Sequence, residues 1–326
     1  MRRLWACMAL LLVAAAGPRW QWPELNEAAP PLVPAGNEMN AAKVELGRRL
    51  FYDADLSSDG TLACANCHEQ RHGFADSVAT RGGVHGNPGR RNAPGLANVA
   101  WLPRLTFANP EATSLEVQAL IPLLGENPVE MGMKGREFEL ARRLKADHCY
   151  RTMFAAAFPE QKGRIALPNV VAALAAFQRT MISRSAPYDR FRRGDPAALT
   201  EPQREGAGLF RAAGCGSCHS GPQLTDAEYH RLGEGDASDS GLFEHTGREE
   251  NRGRFRTPSL RNVAITGPWW HDGSVPTLEE AVRRHPVALP DRALRPILAF
   301  LDSMTDAEFL ADPALSRPDM ACGKRL

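Results

Sequence analysis

The chain has 326 residues, enough for two or three domains, and its 43% hydrophobic and 24% charged residues are ordinary for a globular protein. Its 39 lysines and arginines nearly balance its 38 aspartates and glutamates, which gives a formal net charge of +1 at pH 7. Such a balance gives no support for nucleic-acid binding or for attachment to an anionic membrane.

Residues 1–17 predict a secretory signal peptide. Arg2 and Arg3 form a charged start, residues 4–16 an apolar stretch, and Ala14-Ala15-Ala16-Gly17 a small-residue cleavage zone. No later stretch of the sequence reaches the roughly 18 to 20 apolar residues of a membrane helix. We therefore expect a mature chain that is exported to the periplasm and does not span a membrane.

The first half of the chain predicts two main helices. Residues 41–52 have apolar positions at helical spacing and include Gly47, and residues 168–184 predict a buried helix by the same spacing. The stretch 185–202 contains several prolines and arginines. We interpret it as the connection between an N-terminal domain, residues 18–195, and a C-terminal domain, residues 196–326.

The second half weakly repeats the first. Gly206-Ala-Gly-Leu209-Phe210 resembles Gly47-Arg-Arg-Leu50-Phe51, and a glycine in such a helix permits the close approach of another helix. A capping box, Thr200-x-x-Gln203, starts the second helix of this pair. Another, Thr277-x-x-Glu280, predicts a helix that runs to His285, and residues 291–304 predict a final amphipathic helix. Strand signals are scarce.

Each half also carries a Cys-x-x-Cys-His motif, which predicts a covalently attached c-type haem. The motifs are Cys64-Ala-Asn-Cys67-His68 and Cys215-Gly-Ser-Cys218-His219. The thiols form thioethers with the haem, and the histidine is the proximal iron ligand. A zinc or redox site is disfavoured, because neither motif has a second Cys-x-x-Cys to complete a tetrahedral zinc site. We therefore expect a mainly α protein with two cytochrome c-like haem domains, long loops, and haems near the domain interface.

Two further cysteines, Cys149 and Cys322, remain outside the signal peptide and the haem motifs. In an oxidising compartment they could form a disulfide, or both could stay free. The sequence alone leaves both alternatives open.

Three other histidines are candidates for chemistry. His285 precedes a proline at the end of a predicted helix, where it could reach the second iron or simply favour the helix dipole. His271, in Gly267-Pro-Trp-Trp-His-Asp-Gly273, is a candidate active-site residue that could bond a haem propionate or line a pocket. His85 lies in a glycine-rich loop that could bring it to an iron or leave it exposed.

Several motifs outside the haem sites, taken together with the two haem motifs, are highly specific. They are Glu45-Leu-Gly-Arg-Arg-Leu-Phe-Tyr-Asp53, Arg91-Asn-Ala-Pro94, Asn127-Pro-Val-Glu-Met131, Ser185-Ala-Pro-Tyr-Asp189 and Arg256-Thr-Pro-Ser-Leu-Arg-Asn262. With them, the chain resembles the bacterial dihaem cytochrome c peroxidases and their MauG-like relatives over residues 40–306. Asn127-Pro-Val-Glu-Met-Gly132 and Phe107-Ala-Asn-Pro110 are most similar to the MauG-like branch that includes the methanobactin-associated MbnH proteins.

The resemblance implies unequal haems. The haem on His68 would bind hydrogen peroxide, and the haem on His219 would be low-spin and store or relay the oxidising equivalent. Glu130 falls at the family's distal acid position, with Gln118 and Pro122 at neighbouring distal positions. A carboxylate within one hydrogen bond of the bound peroxide can move a proton between its oxygens.

The chain departs from the family at the second iron and between the haems. His285 stands where the peroxidases have an axial methionine and MauG-like proteins a tyrosine, which predicts a second haem with two histidine ligands and a lower potential than methionine would give. Phe107 stands where the family has a tryptophan between the haems, so electrons would tunnel directly or pass through Trp101. His85 falls near a removable ligand of the first haem in many peroxidases.

The resemblance also implies one calcium ion between the domains. Its ligands would be the Asn92 side chain and the backbone carbonyls of Thr266 and Pro268, which are hard oxygen donors suited to calcium.

We expect an exported oxidoreductase that uses hydrogen peroxide to form a high-valent haem pair. That pair would oxidise an aromatic residue, a tryptophan by resemblance, on a periplasmic and copper-associated partner protein. The first alternative is a cytochrome c peroxidase that reduces peroxide to water with electrons from a small cytochrome or cupredoxin. The second is an electron carrier without catalysis, which Glu130 and Gln118 disfavour because a carrier needs no proton shuttle.

Overall fold

The computed structural model describes residues 20–23, 25–26, 28–233 and 239–325, so the predicted signal peptide, residues 1–17, lies outside the described residues. The helices of the N-terminal part are α1 (Ala41–Phe51), α2 (Cys64–Cys67), α3 (Leu115–Leu124), α4 (Glu137–Ala146), α5 (His148–Ala157), α6 (Leu167–Gln178) and α7 (Pro187–Arg192). Those of the C-terminal part are α8 (Glu201–Ala212), α9 (Phe243–Thr246), α10 (Leu278–Arg283), α11 (Asp291–Asp302) and α12 (Ala307–Ala311).

The described strands are short and form two antiparallel pairs. Strand β1 (Tyr229–His230) pairs with β2 (Phe255–Arg256), and β3 (Met320–Ala321) pairs with β4 (Lys324–Arg325). Long loops and short 3-10 turns connect the helices. The predicted mainly α architecture is confirmed.

Each half is built on one close helix pair. In the N-terminal half α1 packs on α6, and a Cβ added to Gly47 would lie 1.9 Å from the carbonyl oxygen of Ala173. In the C-terminal half α8 packs on α11, and a Cβ on Gly206 would lie 1.9 Å from the carbonyl oxygen of Pro296. The predicted role of these glycines in helix contact is confirmed, because only a residue without Cβ allows such an approach.

The predicted helix over residues 168–184 is too long, since α6 ends at Gln178. The chain beyond it is extended and is held by Asn98, whose backbone N–H donates to the Met181 carbonyl and whose side chain bonds the Ser183 backbone in both directions. These hydrogen bonds satisfy the peptide groups of residues 181–183 outside a helix.

Two helix ends in the C-terminal half also differ from the prediction. Helix α10 ends at Arg283 rather than His285, and α11 ends at Asp302. Helix α11 is not the final helix, because α12 follows it.

The segment after Asp306 leaves the C-terminal half. Phe309 and Leu315 belong to the apolar core of the N-terminal half, although the sequence assigned them to the second domain. A disulfide between Cys149 on α5 and Cys322 fixes the end of this segment, which decides between the two states left open for these cysteines. None of the helices in the described ranges has the length and apolarity that crossing a membrane requires.

Candidate haem sites

The first pair of motif thiols lies on one short helix. Cys64 and Cys67 are the ends of α2, whose start is capped by the Asn66 side-chain oxygen, which accepts the backbone N–H of Ala63 at 2.7 Å. Burial raises the pKa of both thiols to about 12. The Glu130 carboxylate is among the charges that raise these pKa values, so it lies near the thiols.

The second pair lies on a 3-10 turn, Cys215–Ser217, followed by Cys218. Burial raises the pKa of the Cys215 thiol. Both pairs therefore place two thiols three positions apart, directly before a histidine. This is the donor set that covalent attachment of a c-type haem requires.

Both motif histidines are oriented by a backbone carbonyl. His68 Nδ1 lies 2.7 Å from the carbonyl oxygen of Phe74, and His219 Nδ1 lies 3.4 Å from that of Leu224. A carbonyl only accepts, so Nδ1 carries the proton and Nε2 is left with a lone pair for a metal. Burial lowers the pKa of both imidazoles, that of His219 to about 4, which keeps them in the neutral ligating form.

His285 has the same orientation and faces His219. Its Nδ1 lies 2.8 Å from the carbonyl oxygen of Ala281, which leaves Nε2 to point elsewhere. The ring centroids of His219 and His285 are 6.3 Å apart. With metal–nitrogen bonds of about 2.0 Å and ring nitrogens about 1.1 Å from each centroid, two histidines on opposite sides of one metal have centroids about 6.2 Å apart. The spacing therefore suits one iron between the two rings.

These residues line a cavity of about 620 Å³. Its wall from the C-terminal half includes Cys215, Cys218, His219 and His285, and its wall from the N-terminal half includes Asn92, Pro94 and Phe107. The cavity therefore lies between the two halves of the chain, and its volume is within the range of cofactor sites.

Arg256 is a buried cation on the wall of this cavity. Its side chain is 3% exposed, burial lowers its pKa to about 10, and no carboxylate of the described residues forms an ion pair with it. By contrast Arg261, which also lines the cavity, is paired with Asp189 at 2.9 Å. An unpaired buried charge is costly. A haem carries carboxylates, so Arg256 fits this group as well as the histidines do.

Two of the predicted distal residues are connected at the end of α3, and the third lies earlier on the same helix. Gln118 and Pro122 lie on α3, and the Pro122 carbonyl accepts the backbone N–H of Met131, the residue after Glu130. Burial raises the pKa of the Glu130 carboxyl. The hydrogen bond thus ties Glu130 to the same helix end as Pro122.

His85 is exposed and lies on a loop that contacts the Glu130 segment. The backbone N–H of its neighbour Val84 donates to the Glu130 carbonyl at 2.8 Å. Its role as a ligand of the first iron stays a prediction.

His271 is buried on the other side of the interface. Its ring stacks on Phe255 with centroids 3.6 Å apart, and its carbonyl accepts the backbone N–H of Asn92. It lines the large cavity, where its catalytic role stays a prediction.

The three predicted calcium ligands line the same cavity: Asn92, Thr266 and Pro268. The Asn92 amide nitrogen donates to the carbonyls of Val78 and Ala79, so its side-chain oxygen is oriented away from them. The residues are brought together, and calcium binding stays a prediction.

Phe107, the residue at the predicted relay position, is hydrogen-bonded to the C-terminal half. Phe107 is buried, and its carbonyl accepts the backbone N–H of Arg256, whose Nε donates to the Thr106 carbonyl. Trp101 does not share this place, since its indole N–H donates to the carbonyl of Ala29 at 2.9 Å.

Sequence reasoning missed the role of Arg256 and a second internal repeat. Asn98 and Asn262 both have a left-handed backbone and each begins a 3-10 turn. Each backbone N–H bonds a methionine carbonyl, that of Met181 or Met304. The shared pattern, Pro94-x-Leu-x-Asn-Val99 and Pro258-x-Leu-x-Asn-Val263, was the available signal.

The chain is similar to known proteins. The family model of di-haem cytochrome c peroxidase matches residues 41–197. The methylamine utilization protein MauG of Methylorubrum extorquens is 33% identical over 83% of this chain and 80% of its own length. The chain belongs to the dihaem cytochrome c peroxidase and MauG family. As a member of this family, it has sites for two c-type haems.

Other members of the family differ in their named activities. The cytochrome c peroxidase Ccp of Escherichia coli is 36% identical over 86% of this chain, which spans 61% of the length of Ccp. The crystal structure of a MauG-like protein associated with microbial copper homeostasis matches with a TM-score of 0.87 and 36% identity, over 92% of this chain and all (100%) of that chain. The family thus includes both peroxidases and MauG-like proteins.

Proposed function

We propose that this chain is a periplasmic dihaem oxidoreductase of the MauG-like kind. It uses hydrogen peroxide to oxidise an aromatic residue, a tryptophan, on a partner protein. The observation that carries this proposal is the pair of histidines, His219 and His285, that face each other in the 620 Å³ cavity. Two nitrogen ligands would close the second iron and would give it a lower potential than a methionine ligand would.

When bound, the two haems supply the redox chemistry. His68, Cys64 and Cys67 would hold the first, and His219, His285, Cys215 and Cys218 would hold the second. Asn92, Thr266 and Pro268 would hold a calcium ion at the interface, and Arg256 would bind a haem carboxylate.

Glu130 manages protons at the first site. Reduction of hydrogen peroxide to two waters consumes two electrons and two protons, and one oxygen must lose a proton while the other gains one. Burial raises the pKa of the Glu130 carboxyl toward the working pH, so the group can both accept and return a proton. The hydrogen bond from the Met131 N–H to the Pro122 carbonyl fixes the backbone next to Glu130.

A copper-associated partner is supported by one comparison. The structure of the MauG-like protein associated with microbial copper homeostasis covers this chain almost completely. We infer that the partner of this chain belongs to the same physiological context.

The competing function is that of a peroxidase which takes electrons from a small cytochrome or cupredoxin. The names of the Escherichia coli relative and of the cytochrome c551 peroxidase of Nitrosomonas europaea, 33% identical to this chain, support it. Phe107 does not separate the two functions, because phenylalanine is hard to oxidise and both functions need charge to cross between the haems.

Steady-state kinetics with reduced cytochrome c as the donor separate the two functions. We expect the fully oxidised protein to turn over cytochrome c slowly, with no gain after one-electron pre-reduction. Rapid turnover that requires pre-reduction would contradict the proposal and support the peroxidase. Glu130→Gln serves as the control for turnover that does not involve the first site.

A further inference from the structure

Trp270 contacts His285, the proposed ligand of the second iron, and is partly exposed to solvent. Its ring makes an edge-to-face contact with His285, with centroids 5.6 Å apart and planes inclined by 81°. The side chain lines the cavity and is half-buried, so one part contacts the interior and another reaches water. No other aromatic ring of the described residues except His219 makes a ring contact with His285.

The indole N–H of Trp270 is free to release a proton. It makes no hydrogen bond to the described residues and is not buried from water. The N–H groups of Trp269 and Trp101, by contrast, donate to the carbonyls of Val263 and Ala29. An indole that loses an electron becomes a strong acid at this nitrogen, so access to water allows the oxidation to be completed.

The backbone at Trp270 is under a constraint. Its φ is +80°, a left-handed value that is rare for a bulky residue and costs conformational energy. The next residue, His271, is buried against Phe255, and the Trp270 carbonyl accepts the N–H of Gly273. The tight turn therefore places this indole against His285 at the expense of local stability.

Arg284 covers one face of the ring. Its guanidinium carbon lies 4.9 Å from the ring centroid of Trp270, and one of its nitrogens donates to the Ser274 hydroxyl. A cation over an indole favours the neutral ring. It therefore disfavours the removal of an electron from Trp270.

We propose that Trp270 is the residue through which electrons from a partner enter the second haem site, and that Arg284 sets how readily Trp270 is oxidised. This inference rests on the proposed function, in which peroxide oxidises the haem pair. For each electron, the Trp270 indole gives one electron to the oxidised second haem and its N–H proton to water. One electron from the partner and one proton from water then restore the indole. Two such cycles supply the two electrons that hydrogen peroxide consumes.

The test treats the fully oxidised holoprotein with one equivalent of hydrogen peroxide and no partner. The decay of the oxidised haem spectrum is followed optically, and tandem mass spectrometry then locates added oxygen atoms. We expect oxygen on Trp270 in the wild-type protein, because its radical has no external donor to restore it. In Trp270→Phe the oxidised spectrum should persist several-fold longer, and reduced cytochrome c should shorten its lifetime less than in the wild type.

Two further variants control the result. Trp22→Phe also removes a tryptophan, one that is not among the residues that line the cavity, and it should behave as the wild type does. Arg284→Gln keeps Trp270 and the backbone turn while removing the cation, so oxygen addition to Trp270 should become faster. This second variant remains informative if Trp270→Phe does not fold.

An equal lifetime in Trp270→Phe and the wild type, with oxygen added elsewhere, would overturn the assignment and leave the proposed function intact. So would an unchanged rate of Trp270 oxidation in Arg284→Gln. If peroxide does not change the wild-type haem spectrum, the proposed function fails and this inference fails with it.

Discussion

His219 and His285 face each other in the 620 Å³ cavity, with ring centroids 6.3 Å apart and planes inclined by 60°. Each ring is fixed by a hydrogen bond from Nδ1 to a backbone carbonyl, that of Leu224 or Ala281. The same tautomer is therefore set on both sides, and both Nε2 atoms remain available to one metal. In the proposed function this pairing would close the second site.

Replacement of His285 tests that pairing. His285→Gly removes one proposed iron ligand, so the second haem should change from a low-spin to a high-spin EPR signal. His85→Gly, on an exposed loop of the other half, should leave the signal of the second haem unchanged. A low-spin signal that survives in His285→Gly would show that another group binds the iron.

Glu130→Gln should slow the reaction with hydrogen peroxide by about 10²- to 10⁴-fold, the usual contribution of a positioned acid-base group. Stopped-flow absorbance of the haems measures it. Glu126→Gln, a change of an exposed carboxyl paired with Lys134, is the matched control and should react as the wild type does. A wild-type rate in Glu130→Gln would remove the proton shuttle from the account.

The same variant has a predicted effect on stability. Burial raises the pKa of Glu130 in the folded protein, so the folded state holds this proton more tightly than the unfolded state. Stability therefore falls as the pH rises from the unfolded pKa of about 4.3 through the raised folded pKa. Glu130→Gln should lose this fall and be more stable than the wild type at pH 7. Thermal unfolding at several pH values checks the sign, and equal pH profiles would contradict it.

Two glycines of α8 should respond in opposite ways to alanine. A Cβ at Gly206 would lie 1.9 Å from the Pro296 carbonyl oxygen, so Gly206→Ala should lower the free energy of unfolding by about 1 to 3 kcal/mol. A Cβ at Gly208 meets nothing within 4 Å, and Gly208→Ala should raise it by up to about 1 kcal/mol. Denaturant unfolding of both variants is the measurement, and equal effects would refute the close contact of α8 with α11.

The Cys149–Cys322 disulfide closes a long loop, with a sequence separation of 173 residues. Its removal in a Cys149→Ser, Cys322→Ser protein should cost about 2 to 5 kcal/mol of stability. A reductant should lower the unfolding midpoint of the wild type and leave that of the double variant unchanged. If the reductant affects both proteins equally, the bond does not link α5 to the C-terminal segment.

Local sequence signals predicted much of this molecule. The haem motifs and the capping boxes each depend on residues close in sequence, and the structure places them as short-range chemistry requires. Gly47 and Gly206 are recognisable as a repeated motif, although the residues that they contact, Ala173 and Pro296, lie far from them in sequence. The helix predicted over 168–184 is too long, because apolar spacing alone does not reveal that Asn98 forms hydrogen bonds with residues 181 and 183.

The remaining features depend on contacts between distant parts of the chain. Three contacts join segments more than a hundred residues apart. They are the packing of Phe309 on the N-terminal core, the disulfide between Cys149 and Cys322, and the hydrogen bond from the Arg256 backbone N–H to the Phe107 carbonyl. No local pattern specifies such partners. The unpaired charge of Arg256 became visible only when its burial and its surroundings were known.

The most direct test of the proposed function is the addition of one equivalent of hydrogen peroxide to the fully oxidised protein, followed by optical and EPR spectroscopy. We expect an oxidised haem pair that forms without pre-reduction and is long-lived in the absence of a partner. Formation of that state only in the half-reduced protein, followed by its rapid return to the resting state as peroxide is reduced to water, would contradict the account.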